Sequence, residues 1–206
     1  MQVFTLAALS LAGFAFGALW MQDGKTERFT HPVSRDADGG MARWMQTMQP
    51  GPAHARLKEM LGTYDVTMKM HVMPGGPPME SKGTAEFSWF AEGKWLQENW
   101  SIEMMGQKVK GIAHLGYDNF KERFVWAKVD SMQTCMNTAF GHFDKSGDNL
   151  ILWGTIDEPM TPEQDKQVKY VCRGFGQDQF TLEVHDMMIG ESNTKVLEFV
   201  YTRKKK

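Results

Sequence analysis

The stretch "LGTYDVTMKM", residues 61–70, carries a change of hydrophobic period that decides the fold. Just before Gly62, the apolar residues Leu57, Met60 and Leu61 recur at the spacing of a helix. After Gly62, every second residue from Tyr64 onward is apolar, which is the period of a strand with one buried face. The sequence therefore predicts that a short helix ends at Gly62 and passes directly into a β-strand.

Runs with the same strand character continue to the end of the chain, each about eight to ten residues long. Gly, Pro, Asn and Asp separate them, and such short connections favour antiparallel neighbours. An open sheet of this size would leave two exposed edges, whereas closure removes them. The sequence predicts an all-β fold, an up-and-down antiparallel barrel of about ten strands entered through one or two short helices. The predicted strands are 64–72, 81–90, 95–104, 108–117, 123–130, 133–143, 149–156, 166–175, 179–188 and 194–203.

The N-terminal part has a different composition from the predicted barrel. Residues 3–21 contain no charged side chain, so residues 1–21 are interpreted as a signal peptide or an uncleaved membrane anchor, with a buried core helix as a third alternative. Residues 22–40 are polar and glycine-rich, as in a flexible tether, and residues 41–204 form the predicted barrel domain with its entry helices. Either leading interpretation predicts an exported protein, periplasmic or held at the cell envelope.

Composition and cysteine placement argue against several function classes. The formal net charge of -2 and the pI of about 6.3 provide no basic surface for a nucleic-acid partner. Cys135 and Cys172 fall in predicted strands six and eight, too far apart for a disulfide, so two free, buried thiols are expected. No Cys or His pair has ligand spacing, and His114, His142 and His185 would have to converge from separate strands. We therefore predict neither a metal nor a cofactor.

Several motifs in order resemble the bacterial domain-of-unknown-function family DUF1579, a lipocalin-like group, over roughly residues 50–204. They are "PGPAHARLKEMLGTYDV" (50–66), "PPMESKGTAEFSW" (77–89), "EMMGQKVKGIAHLGYDN" (103–119), "VDSMQT" (129–134) and "DEPMT" (157–161). In lipocalin-like barrels, a G-x-W element and an arginine from the last strand plug one end. The resemblance implies that Gly62 and Tyr64, with tyrosine in place of tryptophan, and Arg203 form this structural plug.

Strand alternation suggests which side chains reach the interior. In the third predicted strand, Glu98 shares a face with Leu96 and Trp100, so a cavity on this side would bury a carboxyl group and raise its pKa. The alternative is that the face with Gln97 and Asn99 lines a polar cavity and Glu98 is solvated. Candidate partners for a buried Glu98 are Arg123, Arg173 and His114. The residues that we predict to contact a ligand are Trp89, Glu98, Trp100, His114, Phe124 and Trp126.

The leading functional interpretation is non-catalytic binding of a small apolar molecule inside the barrel. No residue is assigned as catalytic, and a membrane is contacted only through the N-terminal segment. One alternative is a small-molecule hydrolase or isomerase that uses Glu98 or Asp130 with His114 as acid and base. Another is an envelope scaffold that binds a protein, of unknown identity, through the barrel rim or the helix at 41–48.

Overall fold

The computed structural model of this chain describes residues 37–71, 76–158, 161–187 and 194–205. Two α-helices and a 3₁₀ helix precede the sheet, and all ten predicted strands are present. The helices are α1 (Ala37–Thr47), α2 (Pro52–Ala55) and the 3₁₀ helix (Arg56–Met60). The strands are β1 (Gly62–Met70), β2 (Met79–Ala91), β3 (Trp95–Met104), β4 (Gln107–Asp118), β5 (Arg123–Asp130), β6 (Asn137–Phe143), β7 (Asn149–Glu158), β8 (Glu163–Arg173), β9 (Gln179–Asp186) and β10 (Thr194–Arg203).

The strands form a closed antiparallel barrel in which each strand pairs with its neighbours in the chain and β1 pairs with β10. Tyr64 at the start of β1 lies opposite Arg203 at the end of β10, and Met70 lies opposite Leu197. Closure leaves no strand edge unpaired, which removes the main route to edge-to-edge association. The all-β, up-and-down barrel that the alternating runs predict is therefore confirmed.

The hairpin connections alternate between two ends of the barrel, which we call the helix end and the loop end. The helix end carries the connections at 92–94, 119–122, 144–148 and 174–178, together with the start of β1. Hydrogen bonds join the entry segment to these connections: Arg56 Nη2 donates to the Gly147 carbonyl at 3.1 Å, and Asn119 Nδ2 donates to the Gln49 carbonyl at 2.7 Å. The entry helices are thereby fixed over this end.

Helix α2 begins where the sequence provides a rigid first turn. Pro52 occupies the first turn, where its missing N–H costs nothing, and the backbone N–H of Gly51 donates to His54 Nδ1 at 3.0 Å. His54 is buried, and burial lowers its pKa. The 3₁₀ helix that follows buries Leu57 and Met60 against the barrel interior. His54 therefore serves as a hydrogen-bond acceptor at the start of the helix.

The start of β6 differs from the prediction, which placed residues 133–136 in the strand. One Asp130 carboxylate oxygen accepts hydrogen bonds from the backbone N–H groups of Met132, at 2.9 Å, and Gln133, at 3.1 Å. This side-chain turn competes with strand pairing and delays β6 until Asn137. Cys135 consequently lies in the connection and is partly exposed, so the expectation of a buried strand thiol at this position is wrong. Cys172 is buried in β8, and both cysteines are free.

Helix α1 begins at Ala37, so the last residues assigned to the tether are helical. Its apolar side chains Met41, Trp44 and Met45 are 58%, 56% and 49% exposed. The predicted signal or anchor segment and the rest of the tether lie outside the described residues. Within the described ranges, no helix has the length and hydrophobicity that crossing a bilayer requires.

Candidate ligand cavity

An apolar cavity lies inside the barrel, lined by residues of the 3₁₀ helix and of every strand except β1 and β6. The cavity volume, taken as the space available to the centre of a water molecule, is about 50 Å³. A single buried water needs roughly 10–15 Å³ of such space. The cavity therefore suits a molecule of a few heavy atoms. Its apolar lining consists of Met60, Phe87, Leu96, Ala113, Leu115, Trp126, Leu150, Leu152, Phe175, Phe180 and Leu182.

One carboxyl group interrupts this apolar lining. Glu98 is only 8% exposed, and its Oε1 accepts a hydrogen bond of 2.9 Å from the Tyr201 hydroxyl on β10. Desolvation raises the pKa of Glu98 to about 7, against the smaller opposing effects of the Tyr201 hydrogen bond and the Lys128 charge. The face that carries Leu96 and Glu98 is therefore the inner one. Gln97 and Asn99 lie on the outer face, where Gln97 Nε2 donates to Asn99 Oδ1.

Two further polar side chains line the cavity from β8. Burial raises the pKa of the Tyr170 hydroxyl, and burial together with the nearby Glu98 charge raises the pKa of the Cys172 thiol to about 12. The Tyr170 ring packs against Trp126, with 5.0 Å between the ring centroids. Both groups are therefore neutral at physiological pH, and Glu98 is the group in the cavity that titrates there.

The structure brings two of the six predicted ligand contacts, Glu98 and Trp126, to the cavity wall. Trp89, Trp100 and Phe124 also share the inner faces of their strands, but they pack beside the cavity without lining it. The Trp100 indole covers Gly111 and has the Lys128 ammonium 5.0 Å from its ring centroid. Phe124 fills space toward the helix end, between Tyr117 and Phe143.

His114 does not line the cavity, so the prediction that it contacts a ligand there is corrected. Its neighbours Ala113 and Leu115 line the interior, so strand alternation directs His114 to the outer face. There its ring contacts the exposed Phe90, with 5.0 Å between centroids. His114 and Glu98 lie on opposite faces of the sheet, so they cannot act as the predicted acid–base pair.

The predicted charged partners of Glu98 also bind elsewhere. The Arg123 guanidinium stacks over Phe140, 3.8 Å from the ring centroid, and Arg173 Nε donates to Glu183 at 3.0 Å. The hydrogen-bond partner of Glu98 is Tyr201, which was not among the predicted partners. It alternates with Phe199 and Leu197 in β10, a signal for an inner face, but nothing in the linear sequence brings it to Glu98, which is 103 positions away. Tyr170 and Cys172, which alternate with buried Val168, were missed for the same reason.

The plug residues Gly62, Tyr64 and Arg203 meet at the helix end. The Arg203 guanidinium carbon lies 4.8 Å from the Tyr64 ring centroid, and its Nη1 and Nη2 donate to the carbonyls of Leu61 and Glu59. Tyr64 is fully buried and donates its hydroxyl proton to the Met60 carbonyl at 3.0 Å. Gly62 adopts a φ of 136°, and a Cβ there would lie 2.8 Å from Arg203 Nη1. The three residues form a packed plug and do not line the cavity.

Charged pairs occupy inner positions near the loop end. The Lys166 ammonium lies 2.7 Å from the Asp186 carboxylate and 3.2 Å from Glu163, and Asp186 is 1% exposed. Lys128 and Asp130 form a second pair at 3.3 Å. Asp130 therefore combines this ion pair with the turn described above, which accounts for both of its oxygens structurally.

No group of three or more potential metal ligands occurs in the described part of the chain. His185 lies on the outer side of β9 and contacts Glu183 at 3.0 Å, whereas Ala139 and Gly141 are the inward neighbours of His142 in β6. The three strand histidines thus remain separate. The remaining chemistry of the interior resides in Glu98, Tyr170, Cys172 and Tyr201.

Together these features define the class: a closed ten-stranded antiparallel barrel with an apolar internal cavity and one buried carboxyl group. The chain belongs to the family DUF1579, described as a protein of unknown function, whose model matches residues 49–203. The family predicted from the sequence motifs is therefore confirmed.

One solved structure that resembles the chain is Rv2717c from M. tuberculosis, with a TM-score of 0.57 and 16% sequence identity. The similarity covers 76% of this chain and 100% of that chain. At this identity the likeness shows a shared fold alone. A comparison with curated proteins found no match.

Proposed function

We propose that this protein binds a small, mainly apolar molecule inside the barrel and does not catalyse a reaction on it. The observation that carries the proposal is the cavity itself, a space with aliphatic and aromatic walls and a few polar groups, of which Glu98 and Tyr201 are hydrogen-bonded to each other. Such a combination is typical of small-molecule sites, where apolar area provides affinity and a few polar groups fix orientation.

The size of the cavity limits the ligand. Pockets for drug-sized molecules have volumes of roughly 300–1,000 Å³. The open space of about 50 Å³ is far smaller, so a ligand that fits without rearrangement has few heavy atoms. Long acyl chains would require the surrounding side chains to move.

The arrangement of titratable groups supports binding over catalysis. A hydrolase or isomerase of the kind considered above needs an acid and a base within hydrogen-bond reach of one substrate. His114 lies on the outer face, and Asp130 is held by a turn and by Lys128. Neither group supplies Glu98 with a catalytic partner.

Nuclear magnetic resonance titration with benzene and n-butanol tests the proposal, together with native mass spectrometry of the protein purified without detergent. We expect saturable shifts of amides in strands that line the cavity. In the variant Ala113→Leu these shifts should be lost, because Ala113 lines the cavity and the larger side chain fills it. Ala127→Leu, on the outer face of neighbouring β5, is the matched control and should retain binding.

Two outcomes would contradict the proposal. One is the absence of any co-purifying molecule together with no response to benzene, n-butanol, fatty acids or hydrophobic dyes. The other is unchanged binding in a correctly folded Ala113→Leu variant, which would place the ligand outside the cavity.

We further propose that the protein is exported and acts in the periplasm or at the cell envelope. The absence of charge in residues 3–21, followed by the polar segment 22–40, supports this location. Fractionation of cells that express the full chain, with N-terminal sequencing of the product, tests it. A full-length product confined to the cytoplasmic fraction would overturn it.

A further inference from the structure

The cavity contains a carboxyl group whose hydrogen-bonding capacity is only partly used. Among the described residues, one hydrogen bond reaches Glu98, from the Tyr201 hydroxyl to Oε1. No hydrogen bond to Oε2 occurs among the described residues, and no other charged side chain of the described ranges lines this space. Since buried charges in proteins are normally paired, a cationic ligand would stabilise the ionised form of this carboxyl group.

The carboxyl group and the hydroxyl oxygen that bonds it offer acceptor positions to a ligand, beside the neutral Tyr170 hydroxyl and Cys172 thiol. Tyr201 directs its only hydroxyl proton to Glu98, so its oxygen presents lone pairs. An ionised carboxylate accepts hydrogen bonds and donates none. A ligand head with several N–H groups therefore matches this end of the cavity, whereas a carboxylate head meets like charge.

Aromatic side chains line the same cavity as Glu98, and aromatic faces attract cations. Trp126 and Tyr170 pack 5.0 Å apart between centroids, and Phe87 and Phe180 line the same space. The negative face of an aromatic ring stabilises a cation that lies within about 6 Å of its centroid. This feature is independent of Glu98 and favours the same ligand charge.

Resting on the proposed binding function, we propose that the cavity selects a small organic cation: a short apolar body with one basic nitrogen, such as a primary alkylamine. The ammonium group pairs with the Glu98 carboxylate, and the apolar body contacts Leu96, Leu152 and the aromatic wall.

The pairing depends on the charge of Glu98, which the surrounding elements control. The groups that face it are Tyr201 from β10, Tyr170 and Cys172 from β8, and more distantly Lys128 from β5; its neighbours on β2 and β4, Phe87 and Ala113, do not titrate. Burial holds the pKa of Glu98 at about 7. Below this pH the carboxyl group is neutral and the ammonium loses its partner, so amine affinity should rise with pH.

The test compares three probes of equal length, n-butylamine, n-butanol and butyric acid, by nuclear magnetic resonance titration of the full chain at pH 8.5. We expect n-butylamine to bind about tenfold more tightly than n-butanol, and butyrate to bind weakest. In the isosteric variant Glu98→Gln, the preference for the amine should disappear while n-butanol binding persists. Glu86→Gln, on the exposed outer face of β2, is the matched control and should behave like the wild type.

A pH series provides a second readout. Lowering the pH from 8.5 to 5.5 should weaken n-butylamine binding about tenfold or more in the wild type and leave it nearly constant in Glu98→Gln. Equal binding of the amine and alcohol, or an amine preference that survives Glu98→Gln, would overturn the cation proposal while the apolar-ligand function stands. Failure of all three probes and of benzene would overturn both.

Discussion

Gly62 is the residue at which the helical period ends, and its backbone explains why glycine occupies this position. A φ of 136° lies in a region that side chains rarely tolerate, and a Cβ would lie 2.8 Å from Arg203 Nη1, so the guanidinium would have to shift. The change of period at this residue could be predicted from the sequence because it depends on local pattern alone. The closeness of Arg203 could be suggested only through family resemblance.

Replacing Gly62 with alanine should destabilise the protein by about 2–4 kcal/mol, because backbone strain adds to a clash with the plug arginine. Urea unfolding at neutral pH measures the loss. Gly106→Ala is the matched control, since Gly106 also has a positive φ, 75°, but has open space where a Cβ would lie. Equal losses in the two variants would show that contact with Arg203 contributes nothing.

Burial of Glu98 should make the stability of the protein depend on pH. The folded-state pKa, about 7, is above the ordinary value of 4.5, so stability should fall as pH rises from about 4.5 to 7 and then level off. The full difference is on the order of 3 kcal/mol at about 1.4 kcal/mol per pH unit. Glu98→Gln should remove this slope in urea unfolding measured from pH 4 to 8. A variant with the wild-type slope would show that another group is responsible.

At the level of elements, strand existence was predictable and strand boundaries were less so. The alternating apolar residues located all ten strands, because each strand buries one face. The predicted start of β6 was wrong because Asp130 accepts hydrogen bonds from the backbone of Met132 and Gln133. This turn competes with strand pairing and leaves the hydrophobic pattern of the sequence unchanged. The sequence analysis did not identify the inner face of β8 as part of the cavity lining, because the residues that it faces there belong to β3 and β5.

The pair formed by Lys166 of β8 and Asp186 of β9 ties these strands together at inner positions near the loop end. Lys166→Met should destabilise the protein by about 3 kcal/mol, because the buried Asp186 carboxylate loses the ammonium that lies 2.7 Å from it. Thermal and urea unfolding provide the measurement, with Lys169→Met on the outer face of β8 as control.

The double variant Lys166→Met/Asp186→Leu separates charge from packing. It should recover most of the stability, since an apolar pair of similar volume is often as favourable as a buried ion pair. A loss as large as that of the single variant would instead assign the effect to packing around the lysine side chain.

At the scale of the whole molecule, closure of the barrel brings distant residues together to make the cavity. Glu98 and Tyr201 meet across the interior although 103 positions separate them in the chain. Strand alternation predicted an inner face for each, but the curvature of the sheet decides which inner residues face one another. This explains why Trp126 and Glu98 reach the cavity while Trp89 and Phe124 do not.

The two cysteines should report separately on the surface and the interior. Iodoacetamide at pH 8 should modify Cys135 readily and Cys172 orders of magnitude more slowly, because Cys172 is buried and its pKa is raised to about 12. Peptide mass spectrometry over time measures both rates, and unfolding in urea should equalise them. Comparable rates in the folded protein would mean that the interior opens freely.

The pairing of β1 with β10 restricts the route by which a ligand can enter the interior. A ligand cannot pass between two strands of a closed barrel unless the backbone hydrogen bonds that join those strands break. At the helix end, the barrel is closed by Arg203, Tyr64 and the 3₁₀ helix. A molecule that entered through the loop end would pass the inner ion pairs Lys128–Asp130 and Lys166–Asp186, each of which presents one charge of each sign.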